Sequence, residues 1–536
     1  MLDTLIIGGG HNGLVCAAYL ARAGQDVLVL ERRGVVGGAA VTEELAPGYR
    51  CSTASYVVSL LLPEVERDLR LREHGYTVLP RSPSSFTPFE DGRSLLMGPD
   101  AALNHREIAQ FSRKDAEAYP RYEAWLSRIA EHLEPSLMQT PPELLPLPGS
   151  WRRRGLRHKL RNLLQGRSVL KAFEALGEEL PEAIEVLTGP ATPILDRWFE
   201  SDQLKGTLAT DAIIGTFAPP SAPGTAYVLL HHVMGMAGGS RGVWGYVRGG
   251  MGALSGAMAK AAQAYGARIR CDASVKRILV RQGRAVGVEL EDGEIIEARR
   301  VVSNATAAVT FGKLLQDDQL PPAFASAVKR IDYASASVKI NLAVSELPDF
   351  IARPNQGPDP QPQHRGTIHI GATPEYIERA YEEARRGGLS ERPVIEMTIP
   401  TSVDTTLAPA GHHIVGLFVQ YAPYALHGTS WDEQRERFAD RCIDEITRFA
   451  PNFRRSILHR QVLAPPDLEA RFGLTGGNIF QGAMPLHQLF AFRPVPGWSD
   501  YRTPIANLYL CGAATHPGGG VMGACGRNAA QAILQD

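Results

Sequence analysis

Residues 1–40 restrict what this chain can fold into more than any other stretch. Leu5-Ile6-Ile7 is an apolar strand end that runs straight into Gly8-Gly9-Gly10-His11-Asn12-Gly13. Gly8, Gly10 and Gly13 fill the three slots of G-x-G-x-x-G. The first glycine permits the tight turn. The second lets a pyrophosphate approach the main chain, and the third lets the following helix pack closely on the strand. A helix N-terminus at this point offers free N–H groups and a partial positive charge to phosphates. The context agrees. Ala17, Ala18, Leu20 and Ala21 continue a small apolar helix, and Gly24 stands where it should stop. Asp26-Val27-Leu28-Val29-Leu30-Glu31 then reads as a second buried strand ending in an acid. Glu31 lies eighteen residues past Gly13, near the spacing of an acid that holds a ribose hydroxyl. A glycine turn in an unrelated α/β protein needs none of this agreement.

Arg32-Arg33-Gly34-Val35-Val36-Gly37-Gly38-Ala39-Ala40 puts a second glycine pair just past the acid. This resembles the large group of FAD enzymes that includes amine oxidases and carotenoid desaturases. The resemblance implies FAD as the cofactor. It adds Arg32, Gly38 and Ala39 to Gly8, Gly10, Gly13 and Glu31 as cofactor-binding positions.

At 536 residues the chain is too long for one simple core, which favours two domains. A net charge of −1 gives no field that suggests nucleic acid as a partner. The six cysteines (Cys16, Cys51, Cys271, Cys442, Cys511 and Cys525) form no C-x-x-C pair, which argues against a redox disulfide and a thiolate metal site. We expect reduced, mostly buried thiols and no bound metal. The dinucleotide strand begins within a few residues of Met1, and no run of about twenty apolar residues occurs. A cytoplasmic protein is the expectation.

From Gly75 to Gly98 short strands with Pro and Gly punctuation signal entry into a second domain. Asp115 to Glu134 reads as a long amphipathic helix. Trp151 to Arg167 then holds seven basic residues and no acid, with Leu156, Leu160, Leu163 and Leu164 on one helical face. Two readings stand. Either this is a solvated basic face over an ordinary core stripe, or residues 151–167 touch an anionic membrane surface.

Gly250, Gly252 and Gly256 give G-x-G-x-x-x-G, the wrong spacing for a second dinucleotide site, so a tightly bound NAD(P) is not expected. Helix 253–265, strand 267–270, glycine-punctuated hairpins to Ala298 and the strand Val301-Val302-Ser303-Asn304 follow. That order also resembles the FAD-binding fold, which implies that main chain at Val275 meets the adenine. Residues 323–402 leave the first domain again, with strands at 394–401 and 413–421 and helices at 375–386 and 431–450.

Leu508 to Gly512 is a buried strand, 513–523 a glycine loop and 526–534 the last helix. Leu510-Cys511-Gly512 with Thr515-His516-Pro517-Gly518-Gly519-Gly520-Val521 looks like the C-terminal signature of phytoene-desaturase-type flavoproteins. This group holds carotenoid desaturases, carotenoid isomerases and retinol saturase, and the resemblance covers essentially the whole chain. It implies cofactor contacts at Gly512, Gly519, Gly520 and Val521. Many amine oxidases carry an acid after the glycine of the last strand, whereas this chain has Ala513.

The fold expected is therefore α/β: a Rossmann-like FAD-binding domain of the amine oxidase/phytoene desaturase type, with an inserted α+β substrate domain. The FAD domain takes 1–74, 244–320 and 476–536, and the substrate domain takes 75–243 and 321–475. The expected activity is that of an FAD-dependent oxidoreductase drawing a hydride from a small lipophilic substrate, with oxygen or a quinone as electron acceptor. A flavin-dependent isomerase and a non-enzymatic flavoprotein are the alternatives. Desaturation also needs a base. His516 is the first candidate, as catalytic residue or as a loop-shaping one; Tyr421, His231, His232 and His487 follow.

Overall fold

The computed structural model describes residues 1–143, 156–237, 240–241 and 243–536. Its first sheet draws on three separated parts of the chain. Arg268–Arg270, Val27–Leu30, Leu2–Ile7, Ile295–Ser303 and Leu508–Leu510 lie side by side and parallel. The long strand Ile295–Ser303 also begins an antiparallel meander with Arg284–Leu290 and Val275–Arg281. Leu5, Ile6, Val301 and Val302 are fully buried, as strands covered on both faces must be.

Helix His11–Arg22 leaves the end of Leu2–Ile7 and is buried along most of its length. It lies between helices Met251–Ala264 and Ala524–Leu534. Small residues make this possible: a Cβ added at Gly526 would stand 2.2 Å from the Asn12 carbonyl oxygen. Gly250 and Gly252 pack on Thr42 in the same way.

The second sheet runs Ile457–Leu463, Ser337–Val344, His413–Gln420, Val394–Thr398, Thr367–Ile370, Ser85–Pro88 and Ser94–Met97. The two strands of this sheet whose bounds were expected, Val394–Thr398 and His413–Gln420, end within three residues of the expected 394–401 and 413–421. One periodicity organises it. Val338, Ile340, Leu342, Ile395, Met397, Val415, Leu417, Ile368 and Ile370 share one face and form a core with Phe438, Cys442, Ile443 and Ile446 of helix Trp431–Phe449. The intervening residues must point the other way, because side chains alternate along a strand. That opposite face carries Ser337, Lys339, Thr367, His369, Glu396 and Phe418, and it lines a cavity.

Helix Arg113–Leu133 is capped by Ser112, whose Oγ accepts the Asp115 N–H. The buried Asp115 carboxylate accepts the N–H groups of Glu200 and Ser201, tying this helix to the start of helix Asp202–Ala209. A further helix covers Leu156–Ala175, while 151–155 of the basic segment fall outside the described residues. Leu160, Leu163, Leu164 and Leu170 on it are 54–61% exposed. The core-stripe reading of this helix is thereby corrected, since these leucines face outward instead of packing. Among the described residues, no helix is long and apolar enough to cross a membrane.

Candidate functional site

A cavity of about 1100 Å³ lies between the two sheets. That is at the upper end of ligand pockets, with room for a dinucleotide and a second molecule. Its walls differ in kind.

One wall is main chain from the first sheet's loops. Gly8, Gly10, Glu31, Arg32, Gly38, Ala39 and Val275 line it, and Gly519, Gly520 and Val521 line it from the C-terminal loop. The Glu31 carboxylate accepts the Gly9 and Arg33 N–H groups at 2.8 and 3.0 Å, which fixes it at the cavity's edge. Arg32 donates to the carbonyls of Ala470 and Arg471 at 3.0 and 2.9 Å, joining the glycine wall to helix Pro465–Phe472 at the rim. Gly37 and Gly38 hold φ of +117° and +58°, and Gly37 N–H bonds the Gly9 carbonyl. Asn304 closes this wall from behind, its Nδ2 donating to the Gly8 carbonyl at 3.1 Å.

Two expected cofactor contacts fall elsewhere. Gly13 and Gly512 do not line the cavity. A Cβ at Gly13 would stand 2.3 Å from the Gly8 carbonyl oxygen, and one at Gly512 would stand 2.6 Å from that of Asn304. Both glycines let the lining segments pack against one another.

His516 requires a correction. It is buried outside the cavity, its Nε2 against the Ser136 carbonyl at 3.1 Å and its Nδ1 without a partner. Burial holds its imidazole down at about 4. The glycine loop turns it into the protein instead of toward the cavity. The imidazole that does reach this loop from the cavity is His231, with Nε2 3.3 Å from the Gly519 carbonyl. Burial holds it neutral, with a pKa of about 3. His232 also lines the cavity, stacked on Trp244 and bonded to the Val228 carbonyl at 2.7 Å. Tyr421 donates to the Ala218 carbonyl and lies outside, as does His487. Among the described residues, no cluster of His, Cys, Asp and Glu could hold a metal.

The other wall is a row of side chains across the second sheet. His369 pairs with Glu396, Glu396 with Phe418 and Phe418 with Lys339, so four adjacent strands present one residue each. Tyr56, from the loop after strand Tyr49–Ser52, lies over the row. Its hydroxyl donates to Glu396 Oε2 at 3.0 Å, and its ring lies 5.3 Å from Lys339 Nζ. Lys339 donates to Asn341 Oδ1 at 2.6 Å, and Asn341 donates to the Thr53 carbonyl. Ser55 N–H in turn bonds the Ala39 carbonyl, which places the lysine end of the row beside the glycine wall. Burial lowers Lys339 to about 8. Burial, with the charge of Asp211, raises Glu396 to about 8.

Sequence reasoning missed this row. The signal was present as single polar residues inside apolar strands: Lys339 in Val338-Lys339-Ile340, and Glu396 in Ile395-Glu396-Met397. A buried ionisable group at such a position is a functional candidate on physical grounds.

The residues fit FAD. Main chain stripped of Cβ atoms approaches the cavity at Gly8, Gly10, Gly38 and Gly519–Gly520, and a fixed carboxylate stands at the expected distance along the chain. Comparisons agree. The family model for flavin containing amine oxidoreductase matches residues 13–534. The chain is 50% identical to rat pyridine nucleotide-disulfide oxidoreductase domain-containing protein 2, over 100% of this chain and 93% of the relative. It is 26% identical to the lycopene-forming phytoene desaturase of Pseudescherichia vulneris, over 100% and 99%. Cyclohexylamine oxidase from Brevibacterium oxydans shares the fold, with a TM-score of 0.58 and 16% identity over 100% and 99% of the two chains.

Proposed function

Because the chain belongs to the flavin-containing amine oxidoreductase family, we propose that this FAD-dependent oxidoreductase dehydrogenates a largely apolar, alkene-like or polyprenoid chain. The observation that carries this reading is the buried Lys339 amine on the cavity wall, beside the segment that meets the glycine wall. Desaturation removes a hydride from one carbon and a proton from its neighbour, and a double bond forms between them. FAD, when bound, supplies the two-electron acceptor for the hydride. Lys339 takes the proton as a neutral amine, a form that burial makes accessible near pH 8. Phe418 and the ring of Tyr56 hold the chain against the wall, and His231 closes it at the glycine loop. Oxygen or a quinone serves as the terminal acceptor.

The rat relative's name suggests disulfide chemistry, which we do not carry over. All six cysteines here are free, and burial raises Cys511 and Cys525, away from the thiolate such chemistry uses. We also propose that the outward leucines of helix Leu156–Ala175, with the basic residues around them, rest on an anionic lipid surface that holds the substrate.

The test is an anaerobic visible spectrum of the FAD-loaded protein with polyprenoid alcohols and hydrocarbons in micelles. Bleaching of the oxidised flavin bands, with product two mass units lighter by simple loss of two hydrogens, supports dehydrogenation. Product of unchanged mass with no net bleaching favours isomerisation instead. Bleaching by dithionite alone, with no product, overturns both.

A further inference from the structure

At the far end of the side-chain row from Lys339 lies a polar chamber that hydride chemistry does not use. Arg81 is its centre. Only 3% of Arg81 is exposed, and its guanidinium lies 5.5 Å from the centre of the Tyr246 ring. Its hydrogen bonds go to neutral groups, the Trp244 carbonyl at 3.2 Å and Thr367 Oγ1 at 2.6 Å. Among the described residues, no acid lies within ion-pair distance of it. A buried guanidinium without an anion is rare, because burying an unpaired charge is costly.

The acids nearby do not pair with it directly. Asp211 and Glu396 line the same cavity, and burial raises both, to about 6 and about 8, so Asp211 is charged at neutral pH but makes no ion pair with Arg81. Glu396 therefore keeps its proton at neutral pH and already engages Tyr56. His369, beside Glu396 in the row, is 6% exposed and lines the cavity. Its Nδ1 has no hydrogen-bond partner. The chamber thus offers a buried guanidinium with no ion-pair partner, an unpartnered imidazole nitrogen and a protonated acid that can donate a hydrogen bond.

We propose that this chamber takes a carboxylate carried at one end of the substrate's apolar chain, with Arg81 as its anchor. A carboxylate matches the planar fork of a guanidinium, and protonated Glu396 can donate to its second oxygen. The substrate is then an unsaturated or saturated long-chain acid. His369 and Lys339 stand three strands apart, so the carboxylate and the reacting carbons are separated by roughly 14 Å. The assignment rests on the reading above that this cavity is the substrate site, but its test reads binding and not turnover.

The experiment compares farnesoic acid, farnesol and farnesylamine, three probes with one chain and different ends. Perturbation of the flavin spectrum of the FAD-loaded protein gives the affinity of each at pH 7. The acid should bind about ten- to hundredfold tighter than the alcohol, the worth of a charge-assisted hydrogen bond. Arg81→Gln should remove that preference and leave farnesol affinity and FAD content unchanged, and Arg81→Lys should restore part of it. Glu396→Gln, a neutral replacement for a neutral acid, should keep the preference. Equal binding of acid and alcohol, tightest binding of the amine, or no binding of the acid each overturns the proposal, with or without variants. An acid that binds with this preference but bleaches no flavin leaves the anchor standing and counts against the dehydrogenase reading alone.

Discussion

The two walls of the cavity are built on opposite principles. The glycine wall is main chain: Gly8, Gly10, Gly38 and Gly519–Gly520 bring peptide groups to the surface by having no side chain to interpose. The wall on the second sheet is side chain: His369, Glu396, Phe418 and Lys339 reach one line from four separate strands. The first is fixed by sterics and costs little electrostatically. The second buries an amine and an acid and pays for that in solvation. A wall of the first kind suits a cofactor that never changes. A wall of the second kind suits a substrate, because exchanging one side chain alters recognition without disturbing the sheet.

The comparison breaks first if the glycine wall tolerates a methyl group. Gly13→Ala puts a Cβ where the Gly8 carbonyl oxygen stands 2.3 Å away, so helix and turn must separate. We expect loss of bound FAD and destabilisation of about 1–3 kcal/mol or more, read as flavin content and Tm. A variant that holds a full complement of FAD at unchanged Tm would show that backbone packing does not set this wall. The next largest effect falls on the opposite wall. Lys339→Met should fold and bind FAD, yet slow anaerobic flavin reduction by substrate about a hundredfold or more. In the native protein that rate should rise with pH through about 8, as the amine loses its proton, and in the variant it should not. Unchanged reduction kinetics would remove Lys339 from proton transfer.

The same contrast explains what could be read from the sequence. A glycine wall is local: its positions fall within 8–13, 31–39 and 519–521, and glycine spacing states backbone geometry directly. Hence the FAD fold, its three-part first sheet and the main-chain lining positions within 8–10, 31–39 and 519–521 were legible. Gly13 reads from the sequence both as the glycine that lets the helix pack on the strand and as a cofactor contact, and the structure shows the packing role; Gly512, which reads as a contact, packs against Asn304 in the same way. His516 misled for a related reason: a histidine beside three glycines is near the cavity in sequence, and the backbone then decides which way it points. Nothing local links Arg81, His369, Glu396 and Lys339. Their proximity depends on strand order and on the face each residue takes in the sheet, and neither is set until the sheet is assembled.

Glu396 gives a smaller and more specific test. Its folded pKa, about 8, lies above the ordinary value of 4.5. Between these pH values the folded state holds more protons than the unfolded state, so stability falls as pH rises from about 4.5 to 8. Glu396→Gln should cancel this slope and raise stability at pH 8 by up to a few kcal/mol, with little change at pH 4.5. Lys339 has the opposite sign in another window. Its folded pKa is lowered, so stability rises with pH between about 8 and 10.5. Denaturant titrations of E396Q and the native protein across this range separate the two. A parallel pH dependence in both proteins would mean that Glu396 is hydrated and the wall less buried than it stands here.

The smallest effect on the fold concerns the outer helix Leu156–Ala175. It packs beside Arg113–Leu133, whose Tyr119, Tyr122 and Leu126 line the cavity. Its leucines 160, 163 and 164 are more than half exposed, so replacing all three with serine should change stability by less than about 0.5 kcal/mol each. If this face meets lipid, the native protein should sediment with phosphatidylcholine vesicles that contain phosphatidylglycerol, and less so in high salt, which screens the basic residues. The triple variant should stay in the supernatant at any salt while keeping its FAD. Sedimentation that is equal for both proteins, or absent for both, would detach this helix from any lipid surface. The substrate end of the cavity would then have to be supplied from solution, where a carboxylate at one end of an apolar chain is what makes such a molecule soluble enough to arrive.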